Sequence, residues 1–221
     1  MSQSTDALLA EGLAKLGLNE NESRIFPLLE RYIEEIELFN PAYGLVKVKD
    51  RRELIVKHIL DSLAPLKVKC DLFEGRESLR IADVGSGAGL PGIPLAICLP
   101  DATFTLIERM GRRAGFLRDA IAVLGLPNVA IEEADTDELT LAANDRYDLI
   151  VFRAFKPLDD ALLKGLFALL KPTGLLAAYK GRRQAVDEEM SGLQSLTWEV
   201  IPLEVPFLEE ERHLVLIRAC P

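Results

Sequence analysis

The fold is decided by residues 81–92, which read Ile-Ala-Asp-Val-Gly-Ser-Gly-Ala-Gly-Leu-Pro-Gly. The first four residues form a short apolar run typical of the end of a buried strand, and the glycines predict a tight turn into a helix. Glycine permits positive φ and lets the backbone approach a ligand closely, and the start of a helix offers free N–H groups. The stretch therefore predicts a ligand-binding turn in an α/β sheet.

Strand and helix patterns alternate downstream of residue 78. The predicted strands are Leu79–Val84, Thr103–Ile107, Val129–Glu132, Asp148–Phe152, Leu175–Tyr179, Trp198–Val205 and His213–Ala219. The predicted helices cover about 92–98, 112–124, 158–170 and 183–194, with Gly125 and Gly174 where helices should stop. This order predicts a doubly wound α/β fold with a mostly parallel, seven-stranded sheet. The short acidic link around Glu209–Glu211 predicts that the last two strands form an antiparallel hairpin.

The residues before the glycine-rich stretch show helical periodicity. Apolar residues from Ile25 to Phe39 recur at helical spacing, and Asp50 with Glu53 is typical of the start of a second helix that runs through Ser62. Residues 40–47 read as a turn-like link between these helices. We therefore predict an N-terminal helical extension over residues 1–66 and a second domain over 67–221.

Composition limits the classes of function. The chain has 26 Lys and Arg against 35 Asp and Glu, a net charge of −9, which argues mildly against a polyanionic partner because phosphate contacts need cations. Cys70, Cys98 and Cys220 have no metal-binding spacing, so reduced thiols are expected. No signal peptide or membrane span is readable, and we expect a cytoplasmic protein.

The ligand of the glycine-rich turn is ambiguous from these residues alone. Glu108 ends the second strand, 21 residues after Gly87, where a carboxylate can bind both hydroxyls of a ribose. S-adenosylmethionine (SAM) and NAD share that ribose. A dinucleotide fingerprint counted from Gly85 fails at Leu90, and a charged Asp83 suits a sulfonium better than a pyrophosphate. A SAM-dependent methyltransferase is favoured, while a nucleotide-dependent oxidoreductase and a turn without a ligand stay open.

Several ordered segments resemble the GidB-type methyltransferases of bacterial small-subunit rRNA. The turn carries the continuation Leu-Pro-Gly-Ile-Pro at 90–94, and six further segments are similar in the same order. They are Phe39–Tyr43, Lys57–Ser62, Gly111–Arg118, Arg153–Phe155, Tyr179–Gly181 and Glu211–Val215. The resemblance runs from about residue 30 to the C-terminus. It implies a Rossmann-like class I SAM methyltransferase fold.

The activity implied by the resemblance is transfer of a methyl group from SAM to N7 of a guanine in 16S rRNA of the small ribosomal subunit. The implied SAM-binding positions are Gly85, Gly87, Leu90, Thr136, Asp137 and Arg153, with Glu108 on the ribose. Guanine N7 has a free lone pair, so the reaction needs no general base, and alignment of the reactants can supply the catalysis. We therefore predict neither a catalytic acid–base residue nor a metal site.

The same resemblance implies an RNA-binding set, and each member has a plain structural alternative. Its members are Asn40, His58, Arg118, Lys180 and Arg212. Asn40 could instead cap a turn, His58 could be a core histidine bonded to Asp61, and Arg212 could pair with the acidic link. Arg118 and Lys180 could be solvated surface residues.

Three further groups near these positions have the same ambiguity. Arg109, Arg112 and Arg113 could bind phosphates or form a solvated helix face. Arg153 could make a local salt bridge, and Phe155 could stack on a base or pack in the core.

The acidic total is the main physical objection to RNA. A basic mouth formed by Arg118, Arg153, Lys180 and Arg212 would answer it, because local potential steers binding. The rival enzyme, a small-molecule or protein methyltransferase, predicts a closed pocket without a basic rim. A regulatory SAM- or nucleotide-binding module predicts binding without transfer. We expect a monomer.

Overall fold

The computed structural model describes residues 2–19, 22–66, 78–153, 158–193 and 196–219. The N-terminal region is helical, with α1 at Ser2–Lys15 and α2 at Glu22–Tyr43. A continuous helical segment, α3, follows. It consists of the α-helix Arg51–Leu54, the π-helical turn Ile55–Leu60, the α-helix Asp61–Leu63 and the 3-10 turn Ala64–Leu66. The Asp50 carboxylate accepts a hydrogen bond from the Glu53 N–H at 2.8 Å, which confirms the predicted start of α3.

Within the described residues the strands form one seven-stranded sheet in the order β3-β2-β1-β4-β5-β7-β6. The strands are β1 Arg80–Val84, β2 Thr103–Ile107, β3 Val129–Glu132, β4 Tyr147–Arg153, β5 Leu170–Lys180, β6 Leu196–Leu203 and β7 Arg212–Ala219. β1 to β5 pair in parallel, and β7 runs antiparallel to β5 and β6. The predicted parallel sheet and C-terminal hairpin are confirmed.

The crossover helices are α4 Gly92–Cys98, α5 Gly111–Leu124, α6 Asp160–Ala168 and α7 Arg183–Ser191. Gly125 ends α5 in the left-handed conformation, as predicted. The role predicted for Gly174 is wrong. α6 ends at Ala168, and Gly174 lies inside β5, where the β4–β5 pairing shifts register between Tyr147 and Leu149.

The link predicted at residues 40–47 begins later than expected. α2 continues through Pro41 to Tyr43. Proline removes one backbone hydrogen bond to the preceding turn, and the residues after it can keep helical geometry. The Asn40 carboxamide oxygen accepts a hydrogen bond from the Val46 N–H at 2.9 Å. Asn40 therefore caps the turn that leaves α2.

The sheet carries a hydrophobic cluster on each face. One cluster joins the sheet to α4, α5 and the N-terminal helices, through side chains such as Leu13, Ile33 and Ile59. The other joins the sheet to α6 and α7. The N-terminal helices thus share a core with one face of the sheet. The domain boundary at residues 66 and 67 stays a prediction, since residues 67–77 lie outside the described part of the chain.

No helix among the described residues is long and apolar enough to cross a membrane. Cys98 is a free thiol, while Cys70 and Cys220 lie outside the described residues.

Candidate functional site

The glycine-rich turn joins β1 to α4 and has the predicted backbone. Gly85, Gly87 and Gly89 have φ of 68°, 58° and 88°, a region that other residues enter at a cost. A Cβ at Gly92 would lie 2.4 Å from the Leu106 side chain and 2.7 Å from the Asp83 carboxylate. A Cβ at Gly87 would meet only the Gly85 carbonyl oxygen, at 3.8 Å. The turn is therefore packed on the sheet at Gly92 and open at Gly87.

Glu108 lies beside this turn, at the carboxyl end of β2. Its side chain is almost fully buried and accepts hydrogen bonds from the N–H groups of Gly87 and Met110, each at 2.9 Å. A carboxylate oxygen has two lone pairs, so each oxygen can still accept a bond from a ribose hydroxyl. The predicted juxtaposition of Glu108 with the turn is present.

Asp83 is more deeply buried than a charged residue beside the ligand would be. Its side chain is fully buried, and one carboxylate oxygen accepts a bond from the Gly92 N–H at 2.9 Å. Burial raises the pKa of Asp83 to about 7. Asp83 therefore fastens the start of α4 and carries only part of a negative charge near neutral pH.

The N-terminal helices are hydrogen-bonded to the carboxyl edge of the sheet. The hydroxyl of the fully buried Tyr32, on α2, donates to the carbonyl of Ala88 in the turn at 2.5 Å. The Tyr179 hydroxyl, at the end of β5, donates to the Ser62 carbonyl in α3 at 2.9 Å. These bonds connect both sides of the site to the helical extension.

A cavity of about 520 Å³ opens at the carboxyl ends of β4 and β5. Its walls are formed by α3, the strand ends and the β6–β7 hairpin. The lining residues are Lys57, His58, Asp61, Phe152, Arg153, Tyr179, Lys180, Gly181, Leu203, Arg212 and His213. The cavity therefore brings together four residues predicted from the sequence, namely His58, Arg153, Lys180 and Arg212.

Arg153 connects the sheet to α3 at this cavity. Its guanidinium donates to the Asp61 carboxylate at 3.0 Å and to the Lys57 carbonyl at 3.2 Å. It also lies 2.9 Å from His58 Nδ1. Burial and the nearby Arg153 charge lower the pKa of His58 to about 4, so the imidazole is neutral and Nδ1 accepts the bond. The suggested His58–Asp61 pair is therefore replaced by a link through Arg153.

The other cations of the cavity also have carboxylate partners. Arg212 Nε lies 3.1 Å from the second Asp61 oxygen, and its terminal nitrogen lies 3.0 Å from Glu210. Lys180 pairs with Glu189 at 2.7 Å. Lys57 pairs with Glu53 and Glu210. Among the described residues, positive charge at this cavity is thus compensated within the chain.

Two predicted substrate residues lie outside the lining of this cavity. Arg118, on α5, is half-exposed and pairs with Glu133 at 2.6 Å, and Asn40 caps its turn. The basic mouth predicted from four cations therefore has three of them at this cavity, without Arg118.

The remaining predicted positions have separate surroundings. Thr136 is buried in a 3-10 turn after β3, with its hydroxyl 3.4 Å from an Asp135 oxygen. Asp137 shares that turn, and its side chain lies outside the described part of the structure, as does Phe155. Arg109 pairs with Asp135 at 3.6 Å, and Arg112 stacks over the Tyr43 ring at 5.0 Å.

Sequence reasoning missed the central position of Asp61. The available signals were its place three residues after His58 and its position in the family-like segment Lys57–Ser62. Its partners Arg153 and Arg212 come from strand ends that are distant in the chain, so a local pattern could not indicate the contacts.

Comparison with known proteins gives consistent matches. A family model described as GidB, rRNA small subunit methyltransferase G, matches residues 25–215. A protein of that name from Treponema pallidum (strain Nichols) is 42% identical, with 98% of this chain and 96% of the relative covered. One from Stenotrophomonas maltophilia (strain K279a) is 38% identical, with 97% and 95% covered.

Solved structures agree on the fold. The fibrillarin pre-rRNA processing protein of Methanococcus jannaschii has a TM-score of 0.55 at 20% identity, covering 72% of this chain and 74% of that one. The precorrin-6y C5,15-methyltransferase of Geobacter metallireducens has a TM-score of 0.52 at 16% identity, covering 81% and 92%. At these identities the likeness shows the fold alone, and it confirms the predicted Rossmann-like methyltransferase fold.

Proposed function

The chain belongs to the GidB family of rRNA small subunit methyltransferases, and from that premise we propose that it transfers a methyl group from SAM to N7 of a guanine in 16S rRNA. The observation that carries the proposal, besides the family, is the shared sheet edge. The glycine-rich turn with Glu108 and the Arg153 cavity both lie at the carboxyl ends of the parallel strands, where ligands of such sheets bind.

The residues at the turn fit SAM. The turn is open at Gly87, and the buried Glu108 carboxylate beside it keeps lone pairs for sugar hydroxyls. Asp83 offers a second polar atom for the cofactor. One oxygen of its carboxylate is buried without a hydrogen-bond partner among the described residues. We assign Gly85, Gly87, Leu90 and Glu108 to the cofactor, with Thr136, Asp137 and Arg153 as further contacts.

SAM supplies an electrophilic methyl group on a positively charged sulfur. The chain's own contribution is alignment. The nucleophile, guanine N7, carries a free lone pair, so no proton has to be removed before attack. His58 and Asp61 are both engaged by Arg153, which suits them to holding that arginine rather than to moving a proton.

The substrate side is assigned to the neutral His58 and to two cations of the cavity. Guanine N7 lies on the major-groove edge, which is deep and narrow in paired RNA, so the target base must be unpaired or turned out. We assign His58, Lys180 and Arg212 to RNA binding at the cavity. Arg118 and Asn40 belong to the same proposal as outer contacts on α5 and α2. Because the cations are already paired, RNA phosphates have to exchange with the chain's carboxylates.

The direct test is methyl transfer to small ribosomal subunits from cells that lack the endogenous enzyme. The protein is incubated with SAM labelled on its methyl group, and the rRNA is digested and analysed. Label in N7-methylguanine supports the proposal. Label only in protein or metabolites would favour the rival methyltransferase class, and tight SAM binding without transfer would favour a regulatory module. Naked 16S rRNA, assayed in parallel, shows whether the assembled subunit is needed.

The site assignment has its own test. We expect Arg118→Ala and Arg153→Ala to lose most transfer activity while thermal unfolding stays cooperative. Full activity in both variants would contradict the assignment. The proposal also includes a monomeric, cytoplasmic enzyme, and light scattering of the purified protein tests the first point.

A further inference from the structure

Asp61 occupies an unusual position at the cavity. Its side chain is only 4% exposed. One carboxylate oxygen lies 3.0 Å from Arg153 Nη1, and the other lies 3.1 Å from Arg212 Nε. A single buried carboxylate thus bridges two guanidinium groups, one at the end of β4 and the other at the beginning of β7.

Each arginine also has partners other than this carboxylate. Arg153 is also held by the Lys57 carbonyl and by His58 Nδ1. Arg212 donates to the Glu211 carbonyl at 2.9 Å, and among the described residues its other carboxylate is Glu210, which is 53% exposed and therefore screened by solvent. Two like charges this close repel each other unless a negative charge lies between them. Asp61 supplies that charge, with one oxygen hydrogen-bonded to Arg153 and the other in an ion pair with Arg212.

We propose that Asp61 is a positioning residue for methyl transfer, holding Arg153 and Arg212 side by side so that the cofactor meets one oriented guanidinium group, Arg153, and the RNA substrate meets the other, Arg212. The role rests on the proposed function. Asp61 acts through the arginines and does not touch the substrate. Displacement of an aligning group by about 1 Å can cost up to a hundredfold in rate, so a carboxylate with this position has a measurable effect on kcat/KM.

The first variant is Asp61→Asn, which keeps the shape and one acceptor oxygen but removes the charge. We expect kcat/KM for small subunits to fall about ten- to a hundredfold. The second variant is Arg212→Lys, which keeps the positive charge but replaces the planar guanidinium, whose Nε lies 3.1 Å from the Asp61 carboxylate, with an ammonium of different shape. We expect a comparable loss, and because Arg212 is less deeply buried than Asp61 this variant tests the proposal even where Asp61→Asn does not fold.

A double-mutant cycle separates positioning from general destabilisation. If Asp61 acts through Arg212, the Asp61→Asn/Arg212→Lys protein loses no more than the worse single variant, whereas independent roles give additive losses. The matched control is Asp148→Asn. Asp148 pairs with Lys171 at 2.8 Å near the start of β4, at the opposite edge of the sheet, so its loss should lower the unfolding temperature and leave kcat/KM within about twofold.

The inference is overturned by wild-type kcat/KM in Asp61→Asn or in Arg212→Lys, by additive losses in the cycle, or by an equal loss in Asp148→Asn. Failure of the wild-type protein to methylate small subunits would instead refute the proposed function. The two failures are distinguished because the wild-type assay precedes the variants.

Discussion

At the scale of single residues, a substitution at Gly87 can test ligand binding without disturbing the packing of the turn. Its φ is 58°, so alanine there costs on the order of 1 kcal/mol of stability, and the added methyl group would project into open space beside Glu108. We expect Gly87→Ala to weaken the binding of S-adenosylhomocysteine at least tenfold, measured by calorimetry.

Gly125 provides the matched control for that variant. It has φ of 62° at the end of α5, with no atom within 4 Å of an added Cβ. Gly125→Ala should carry a similar backbone cost and leave the affinity unchanged. Equal affinities of the two variants for S-adenosylhomocysteine would contradict a ligand site at the turn.

Asp83 predicts a pH dependence of stability. Burial raises its pKa in the folded state to about 7, whereas an unfolded chain has an aspartate pKa near 4. Between these values the folded protein binds more protons than the unfolded one, so this group's contribution to the unfolding free energy falls as pH rises. The slope is at most about 1.4 kcal/mol per pH unit.

The measurement compares urea unfolding of the wild type and of Asp83→Asn from pH 4.5 to 7.5. Asparagine keeps an acceptor for the Gly92 N–H, which Asp83 binds at 2.9 Å, and does not titrate. The wild type should lose stability relative to the variant as pH rises. Parallel curves would show that Asp83 does not take up a proton in the folded state over this range.

At the scale of elements, the link between α2 and the glycine-rich turn is the Tyr32 hydroxyl on the Ala88 carbonyl. Tyr32→Phe removes the hydroxyl and leaves that carbonyl without this donor, at a cost of about 1 kcal/mol. We expect lower stability and a several-fold loss of affinity for S-adenosylhomocysteine, because the turn loses its outer support.

The control for Tyr32→Phe is Tyr147→Phe. Tyr147 is also buried, but it lies at the amino end of β4, away from the carboxyl edge that carries the turn. This variant should be destabilised without any change in affinity. If Tyr32→Phe binds S-adenosylhomocysteine as tightly as the wild type does, the helical extension does not support the cofactor site.

The strands and crossover helices could be predicted from the sequence because each is a local pattern. The strand at 103–107 and the helix at 92–98 match the prediction at both ends. The helical extension was predicted as helices but could not be placed, since an amphipathic face does not indicate which surface it packs on. Gly174 misled the prediction because glycine is typical both of helix ends and of irregular strands, and only the sheet pairing separates them.

The candidate site was predicted unevenly for the same reason. Glu108 and the turn are separated only by α4 and β2, the short crossover that follows β1. Their spacing in the sequence therefore indicates that they lie close together. His58, Arg153 and Arg212 were each predicted as site residues through family resemblance, and the carboxylate between them was not. Long-range ion pairs follow from the tertiary fold, and no spacing in the chain encodes them.

At the scale of the whole molecule, a net charge of −9 has to be reconciled with an RNA substrate. The cavity cations are paired within the chain, and Glu210 lies 3.0 Å from both Lys57 and Arg212. Being half-exposed, Glu210 occupies cations that RNA phosphates would otherwise bind. It therefore competes with the substrate, while the buried Asp61 holds the same arginine in place.

Glu210→Gln should accordingly strengthen RNA binding. We expect the KM for small subunits to fall about threefold at low salt, with the gain disappearing at high salt because exposed charges are screened. Glu188→Gln is the control. Glu188 is exposed on α7 and bonds Gln184, so this change raises the net charge by the same single unit away from the cavity. If both variants bind small subunits equally well, total charge governs association and the pairing at the cavity has no part in it. If Glu210→Gln alone binds more tightly, the acidic chain recognises RNA by exchanging its own carboxylates for phosphates.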